Sequence, residues 1–223
     1  MTVSIIIPVY NEERTILKVI EKVSQLPFKK EVIIVNDGSS DNTALELKKI
    51  KGKGVLVFSH VKNRGKGAAI KSGIKKATGD IIAIQDADLE YNPKELLKLI
   101  TPIIKDEADV VYGSRFLTVE HRKGIYYLGN RLLTYLTQLL FWKKISDMET
   151  CYKVFSGKVL RKIHINSNRF DFEPEITAKI LKLGIRFKEL PISYKSRSHK
   201  EGKKLTWKDG LQAAAALIRY RIS

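Results

Sequence analysis

The feature that most restricts the fold is a regular alternation between short apolar segments and segments with helical periodicity. Val3–Val9 is rich in β-branched residues, and in residues 12–26 the apolar side chains recur at the spacing of one helix face. The pattern continues through 31–35 and 41–50, 55–59 and 65–77, 80–85 and 93–104, and 109–112. It predicts an α/β fold in which a mostly parallel sheet carries helices on both faces.

Ligands of such sheets bind beyond the carboxyl ends of the strands. Asp86, Ala87 and Asp88 follow an apolar strand directly, and alternate residues at a strand end can turn two carboxylates toward one cleft. Mg²⁺ and Mn²⁺ prefer oxygen ligands and are commonly held by one or two carboxylates plus substrate phosphates. Glu90 lies two residues further on the same side. A solvated pair that caps the helix beginning at Pro93 is the alternative.

Two further strand ends carry polar residues. Asp37 precedes Gly38 and can accept hydrogen bonds from a base or a ribose, whereas residues 39–41 look like helix N-caps. Residues 63–67 are rich in glycine at a helix start, which suits a phosphate. They match neither the Walker A spacing nor G-x-G-x-x-G. Ligand contact and a plain tight turn both remain open for this segment.

The rhythm changes after residue 112. An apolar, aromatic-rich stretch at 125–142 is followed by a helical pattern at 173–183, a strand-like segment at 186–190 and a basic loop. Residues 206–222 form an amphipathic helix with apolar residues about four apart, namely Trp207, Leu211, Ala214, Ile218 and Ile222. No leader peptide and no apolar run of transmembrane length is visible. We expect a catalytic domain over 1–205 and a C-terminal helix over 206–223.

The charge is strongly basic and uneven. The chain has 41 Lys and Arg against 24 Asp and Glu, and residues 111–223 alone carry 23 basic and 9 acidic side chains. The partners are therefore expected to be anions. Cys151, the single cysteine, excludes an internal disulfide and a cysteine-based zinc cluster, which fits a reducing cytosol.

Four motifs together resemble one enzyme family. They are residues 7–12 (IPVYNE), 35–41 (VNDGSSD), 86–88 (DAD) and 113–115 (GSR). In order and spacing, residues 3–205 are similar to family 2 glycosyltransferases with the Rossmann-like GT-A fold, in the branch of dolichyl-phosphate and polyprenyl-phosphate mannosyl- and glucosyltransferases. Residues 146–153 resemble the family's Asp-x-x-Ser/Thr-Gly-Phe stretch beside the acceptor, with Cys151 and Tyr152 in place of Gly-Phe.

The resemblance implies roles for individual residues. The nucleotide-sugar would be bound by Pro8, Tyr10, Glu12, Asp37, Asp86, Ala87 and Lys204. The metal, Mg²⁺ or Mn²⁺, would be bound by Asp86, Asp88 and Glu90. The catalytic set would be Asp88, Arg115, Arg131, Arg197 and Lys203, and residues 197–204 resemble the family's flexible basic loop that closes on the diphosphate.

The reaction implied is inverting transfer of a hexose, mannose or glucose, from GDP-mannose or UDP-glucose to a polyprenyl or dolichyl phosphate. A phosphate monoester is largely dianionic at pH 7, because its second pKa is near ~6, so this acceptor needs no general base. A glycan hydroxyl acceptor would instead need a carboxylate such as Asp147 or Glu149. Transfer to such a hydroxyl and a non-catalytic nucleotide-sugar sensor are the alternatives. A nucleic-acid-binding module is disfavoured, since no zinc, RNP or KH pattern is present.

A lipid phosphate would place the protein at a membrane. We expect a peripheral protein on the cytoplasmic face, bound to anionic lipid through 125–142, whose aromatic residues are flanked by Arg122, Lys123, Lys143 and Lys144. For 206–222, packing on this protein or on a second copy in a homodimer competes equally with lipid contact.

Overall fold

The computed structural model describes residues 1–50, 52–118, 125–197 and 206–222, without the side chains of residues 125 and 126, and its described strands form one seven-stranded sheet. In chain order the strands are β1 (Val3–Val9), β2 (Lys30–Asn36), β3 (Val55–Ser59), β4 (Ile81–Ile84), β5 (Val110–Ser114), β6 (Lys153–Ser156) and β7 (Phe187–Pro191). Their order across the sheet is β3-β2-β1-β4-β6-β5-β7.

The helices occupy the segments between these strands. They are α1 (Ile16–Ser24), α2 (Thr43–Lys48), α3 (Lys66–Lys76), α4 (Leu96–Ile104), α5 (Ile125–Phe141), α6 (Gly157–Leu160), α7 (Phe172–Lys182) and α8 (Trp207–Ile222). A 3₁₀ turn at Pro93–Glu95 leads into α4, and the Asn92 side chain accepts a hydrogen bond from the Lys94 N–H at its start. The predicted α/β fold with a mostly parallel sheet is confirmed.

One strand departs from the parallel arrangement. β6 lies between β4 and β5 and is antiparallel to both, with Ile82 opposite Phe155 and Val111 opposite Val154. The other neighbouring pairs are parallel. The chain therefore leaves the simple alternation after β5, runs through α5, and returns to fill the gap between two earlier strands.

The core has two apolar layers, one on each face of the sheet. Along β1, Ile5 and Ile7 pack into one layer and Ile6 into the other, and all three are fully buried. Side chains of α1 and α4 cover the first layer, and those of α3, α7 and α8 cover the second. Burial on both faces explains why β1, β2 and β4 are nearly uninterrupted runs of Ile and Val.

The C-terminal helix packs on the second layer. Ala213, Leu217 and Tyr220 of α8 belong to the same buried cluster as α7, so this helix shares the core of the sheet, and the predicted division at residue 205 stays a prediction. Its opposite side is exposed, as is one side of the neighbouring α5. We call these exposed apolar side chains the outer apolar face: Leu128, Leu132, Tyr135, Leu139, Trp142, Trp207, Leu211, Ile218 and Ile222.

The outer apolar face is strongly exposed on α5. On α5, Leu128 and Leu132 are each 67% exposed and Trp142, just past the helix end, is 81% exposed. The described helices include none that is long and apolar enough to cross a bilayer. The alanine-rich side of α8 thus contacts protein. Of the predicted stripe, Trp207, Leu211, Ile218 and Ile222 are exposed, whereas Ala214 is half-buried and packs against the second layer.

Candidate active site

A cavity of about 330 Å³ opens at the carboxyl ends of β1, β2, β4 and β5. Parallel pairing brings these strand ends to one edge of the sheet. The predicted residues that line this cavity are Pro8, Tyr10, Glu12, Asp37, Asp86, Ala87, Asp88, Glu90, Arg115 and Arg197. Lys203 and Lys204 lie outside the described residues. The roles assigned to all these residues stay predictions, but the fold brings ten of them to one cavity.

Asp37 organises the loop that follows β3. Its Oδ1 lies 2.6 Å from His60 Nδ1, and its Oδ2 accepts a hydrogen bond of 2.7 Å from the Gly65 N–H. The Arg64 N–H is also directed at this carboxylate. Gly38 has a φ of +67°, and an added Cβ would lie 2.5 Å from the Lys62 carbonyl carbon, so only glycine fits beside Asp37. Much of the hydrogen-bonding capacity of Asp37 is thus used within the protein.

The glycine-rich segment at residues 63–67 is a close-packed turn. Gly65 has a φ of +98°, and a Cβ there would meet the Asn168 carbonyl oxygen at 2.4 Å. The N–H groups of Gly67 and Ala68 donate to the carbonyls of Arg169 and Asn168 at 3.3 and 2.9 Å. Because these amides have protein partners, the tight-turn interpretation accounts for the glycines. The Lys66 side chain, by contrast, lines the cavity.

Lys66 is the centre of a buried cluster of charges. Its Nζ lies 3.0 Å from Asp86 Oδ1, 3.1 Å from Glu173 Oε1 and 2.9 Å from Cys151 Sγ. Burial acts to lower the pKa of Lys66, but the negative charges around it, led by Asp86, raise that pKa well above its usual value. Lys66 therefore remains an ammonium ion inside the site.

Asp88 is held by Arg197 but surrounded by like charges. Arg197 Nη2 lies 2.6 Å from Asp88 Oδ2. Burial and the negative charges of Asp86 and Glu90 nonetheless raise the pKa of Asp88 to about 7. Burial also acts to raise the pKa of Asp86, but Lys66 outweighs it and the pKa of Asp86 is lowered. A cation close to both carboxylates would relieve this repulsion.

The carboxylates of Asp86 and Asp88 supply some of the oxygen ligands that a hard divalent cation needs. Two buried carboxylates at a strand end match the one or two that Mg²⁺ and Mn²⁺ take in phosphate-binding sites. Glu90 is engaged elsewhere, because its carboxylate accepts hydrogen bonds from the Arg197 N–H at 2.6 Å and the Tyr194 hydroxyl at 3.0 Å. Within the described residues, no three acidic, histidine or cysteine side chains converge as a metal-holding group. The metal-ligand roles of Asp86, Asp88 and Glu90 therefore stay predictions.

Arg197 joins two parts of the site. Its Nη1 lies 3.0 Å from Glu12 Oε2, and its Nη2 reaches both Glu12 and Asp88. Glu12 follows β1 and Asp88 follows β4, so one guanidinium links two strand ends. The remainder of the predicted basic loop, residues 198–204, lies outside the described residues.

Arg115 is fixed by a buried ion pair. Its Nε and Nη2 donate to the two carboxylate oxygens of Asp147, each at 2.7 Å, and its backbone N–H donates to the same carboxylate at 2.9 Å. Asp147 is fully buried. Of the two carboxylates predicted as possible bases for a hydroxyl acceptor, Asp147 is therefore occupied, whereas Glu149 lines the cavity.

Arg131 does not line the cavity, unlike the other predicted arginines. Its exposed guanidinium lies 5.6 Å from the centre of the Phe116 ring, and that of Arg115 lies 5.4 Å from the same centre. Phe116 thus brings Arg131 to the side of the cavity that Arg115 occupies. The catalytic role of Arg131 stays a prediction.

Glu149 and Glu173 line the cavity, but the sequence motifs did not identify them as residues that bind the nucleotide-sugar. Burial and the negative charge of Glu173 raise the pKa of Glu149 to about 8, so Glu149 is largely protonated at neutral pH. Lys153 is close by but fully buried, and its Nζ donates to the Met148 carbonyl at 3.0 Å. In the sequence, Glu173 lies in residues 172–175 (FEPE), a segment that resembles the same branch of family 2 glycosyltransferases.

Comparison with known proteins gives consistent matches. The sequence profile described as Glycosyl transferase family 2 matches residues 4–164. A UDP-N-acetylglucosamine–dolichyl-phosphate N-acetylglucosaminyltransferase of Methanococcus voltae is 32% identical over 84% of this chain and 83% of its own length. A dodecaprenyl-phosphate galacturonate synthase of Rhizobium johnstonii is 26% identical, and the match spans 89% of this chain but 60% of that protein.

The fold also matches a solved structure. Glucosyl-3-phosphoglycerate synthase from Mycobacterium tuberculosis, crystallised with Mn²⁺, uridine diphosphate and phosphoglyceric acid, superposes with a TM-score of 0.79. The match covers 99% of this chain and 78% of that one at 20% identity. Another crystal of that enzyme holds Mg²⁺ with uridine diphosphate. The arrangement of sheet and helices is therefore one that is found in a nucleotide-sugar enzyme.

Proposed function

This chain belongs to glycosyl transferase family 2, and from that premise we propose that it transfers a hexose from a nucleotide-sugar to a polyprenyl phosphate. The donor is a nucleoside diphosphate hexose such as GDP-mannose or UDP-glucose, and the acceptor is a dolichyl or related polyprenyl phosphate. Transfer depends on Mg²⁺ or Mn²⁺ and inverts the configuration at the sugar carbon.

The observation that carries the proposal is the pairing of Asp86 and Asp88 with Lys66, Arg115 and Arg197 in one cavity. A diphosphate needs cations, and a divalent metal needs carboxylates, so the wall of this cavity offers ligands for both. The names of the two relatives support the acceptor, because each includes a polyprenyl-type lipid phosphate. The Mn²⁺ and Mg²⁺ complexes of the similar structure support the metal.

In this proposal, side chains of the cavity bind the metal, the diphosphate and the acceptor phosphate. When bound between Asp86 and Asp88, the divalent cation would supply charge stabilisation for the leaving diphosphate. Arg197 would add a bidentate contact to the same diphosphate. The acceptor phosphate oxygen forms a bond to the anomeric carbon as the bond from that carbon to the diphosphate oxygen breaks. Arg115, oriented by Asp147, is available to hold the acceptor phosphate.

A donor panel tests this function. The purified protein is incubated with labelled GDP-mannose, UDP-glucose and other nucleotide-sugars, Mg²⁺ or Mn²⁺, and a polyprenyl phosphate, and the product is extracted into organic solvent. We expect label in the organic phase only when metal, donor and lipid phosphate are all present. A product that stays in water would instead support the glycan-hydroxyl alternative, and nucleotide-sugar binding with no product would support a sensor.

A membrane-bound acceptor requires the protein to reach the bilayer surface. We propose that the outer apolar face lies on anionic lipid at the cytoplasmic side, with Lys143 and Lys144 beside it. Both lysines are exposed, and α5 carries no acidic residue. A second copy could also cover this face, but a homodimer would bring basic surfaces together, whereas anionic lipid would neutralise them.

A further inference from the structure

Two carboxylate oxygens in the cavity wall have no protein partner. Among the described residues, Glu149 Oε1 and Glu173 Oε2 are buried without a hydrogen bond, and both side chains line the cavity. Leaving a buried polar group without a partner is costly, and few such groups persist in native proteins. The pair is therefore expected to have a hydrogen-bonding ligand during function.

The position of this pair relative to Asp86 identifies which part of a ligand it would meet. Lys66 Nζ lies 3.0 Å from Asp86 and 3.1 Å from Glu173, so the two carboxylates are at most about 6 Å apart. Asp86 belongs to the pair that is proposed to hold the metal and the diphosphate. In a nucleotide-sugar the hexose is bonded directly to that diphosphate, so its ring would lie against Glu149 and Glu173.

Two of the cations near this wall, Lys66 and Arg115, already have carboxylate partners. Lys66 is paired with Asp86 and Glu173, Arg115 is paired with Asp147, and Lys153 donates to backbone carbonyls. A second negative charge brought against Glu173 would be repelled by its carboxylate, and burial would make that repulsion costly. Sugar hydroxyls, which can both donate and accept, meet no such penalty.

We infer that Glu149 and Glu173 recognise the transferred sugar and select a neutral hexose, through its ring hydroxyls, over a sugar that bears its own carboxylate. The inference rests on the proposed function and names the class of donor. Glu173 Oε2 accepts a hydrogen bond from one hydroxyl, and Glu149 exchanges a second hydrogen bond with a neighbouring oxygen. The transferred group is thus a neutral sugar rather than a uronic acid.

The test measures what the sugar adds to nucleotide binding. Titration calorimetry in the presence of Mn²⁺ gives dissociation constants for UDP, GDP, UDP-glucose, GDP-mannose and UDP-glucuronate. We define the sugar contribution as the dissociation constant of the free nucleotide divided by that of the corresponding nucleotide-sugar. In Glu149→Leu and Glu173→Gln we expect this contribution to fall by about tenfold, because the first variant loses a hydrogen bond to the sugar and the second replaces a charged acceptor by a neutral one. Binding of the free nucleotide should change less than twofold.

Thermal unfolding separates recognition from a structural role. Because Glu149→Leu removes a carboxyl oxygen, Oε1, that is buried without a partner and puts an apolar group in its place, it should raise the melting temperature while weakening sugar binding. Glu175→Gln is the matched control, because Glu175 lies on the same helix as Glu173, α7, but its carboxylate already accepts hydrogen bonds from the Asn166 and Ser167 N–H groups. That control should lower the melting temperature and leave the sugar contribution unchanged.

The possible outcomes decide between the two proposals. Unchanged sugar contribution in both cavity variants, with normal nucleotide binding, would overturn this inference alone. Tighter binding of UDP-glucuronate than of UDP-glucose by the wild-type protein would also overturn it. Absence of any nucleotide binding to the wild-type protein would overturn the proposed function and this inference together. A rise in UDP-glucuronate binding in Glu173→Gln would support the charge argument directly.

Discussion

At the scale of single residues, Asp88 is where the charges of the site compete most strongly. Arg197 stabilises its ionised form, whereas burial, Asp86 and Glu90 oppose ionisation and raise its pKa to about 7. A carboxylate in this position gains from a cation more than an isolated surface carboxylate would. The proposed metal dependence follows from this excess of negative charge around Asp88.

Asp88→Asn tests that dependence. We expect transfer to fall by at least about a hundredfold, since the variant removes a charge that would help to hold the cation opposite the leaving diphosphate. The fold should survive because Asp88 follows the end of β4 rather than lying within the sheet. Initial rates with Mn²⁺, and the same assay on wild-type protein after EDTA, are the measurements. Full activity after complete metal removal would contradict the prediction.

Glu149 gives the protein a pH dependence of stability that can be assigned to one group. Its pKa is raised from about 4.5 to about 8, so its contribution to stability is complete below pH ~4.5 and is lost as the pH rises toward 8. We expect Glu149→Gln to match wild type near pH 5 and to melt several degrees higher near pH 8.5. Calorimetric melting temperatures at intervals from pH 5 to 8.5 check this, and a constant difference across the range would exclude Glu149 as its cause.

At the scale of elements, the segment after β7 controls the site through Arg197. This side chain bridges Glu12 and Asp88, which belong to different strand ends. We propose that the donor diphosphate replaces these carboxylates as the partner of the guanidinium when it binds. Its contribution should therefore be larger to turnover than to folding.

Arg197→Ala should lower kcat by about a hundredfold or more and shift the melting temperature only slightly. Arg186→Ala is the control, because Arg186 also forms two ion pairs, with Asp106 and Asp109, but is exposed and lies before β7 at the opposite end from the cavity. The control should retain full turnover. Equal losses of activity in the two variants would refute a specific role for Arg197.

The elements themselves could be predicted because their patterns are local. Apolar runs and helical spacing located the strands and long helices, and motif order placed Asp86, Asp88 and Arg197 at one edge of the sheet. The antiparallel insertion of β6 could not be predicted, since it depends on which distant strands leave a gap. Lys66 and Glu173 were missed as partners for a similar reason. Their ion pair joins helices far apart in the chain, and each alone looks like an ordinary helix residue.

At the scale of the whole molecule, the excess of basic residues and the outer apolar face favour reversible binding to anionic membranes. An exposed leucine gains roughly 1.5–3 kcal/mol when fully buried, and a lysine near anionic lipid adds about 1 kcal/mol that salt screens. Neither source alone gives firm attachment. Together they predict a protein that binds vesicles at low salt and is largely released at high salt.

Cosedimentation with phosphatidylserine-containing vesicles measures this binding. Leu132→Glu with Leu139→Glu should reduce the bound fraction at least tenfold, because both side chains belong to the outer apolar face. Leu45→Glu with Leu183→Glu is the matched control, since these leucines are as exposed but lie elsewhere. Lys143→Glu with Lys144→Glu should weaken binding mainly at low salt. Wild-type protein found wholly in the supernatant at low salt would remove the membrane proposal.

The place of β6 in the sheet has a consequence for synthesis on the ribosome. β4 pairs with β1 on one side and must wait for residues 153–156 to cover the other, about seventy positions later in the chain. Until then the nascent chain presents an open strand of Ile81, Ile82, Ala83 and Ile84, a template for pairing with another chain. A ribosome that stalls between β5 and β6 would therefore hold an aggregation-prone half-sheet, and this interval is where chaperones would be needed most.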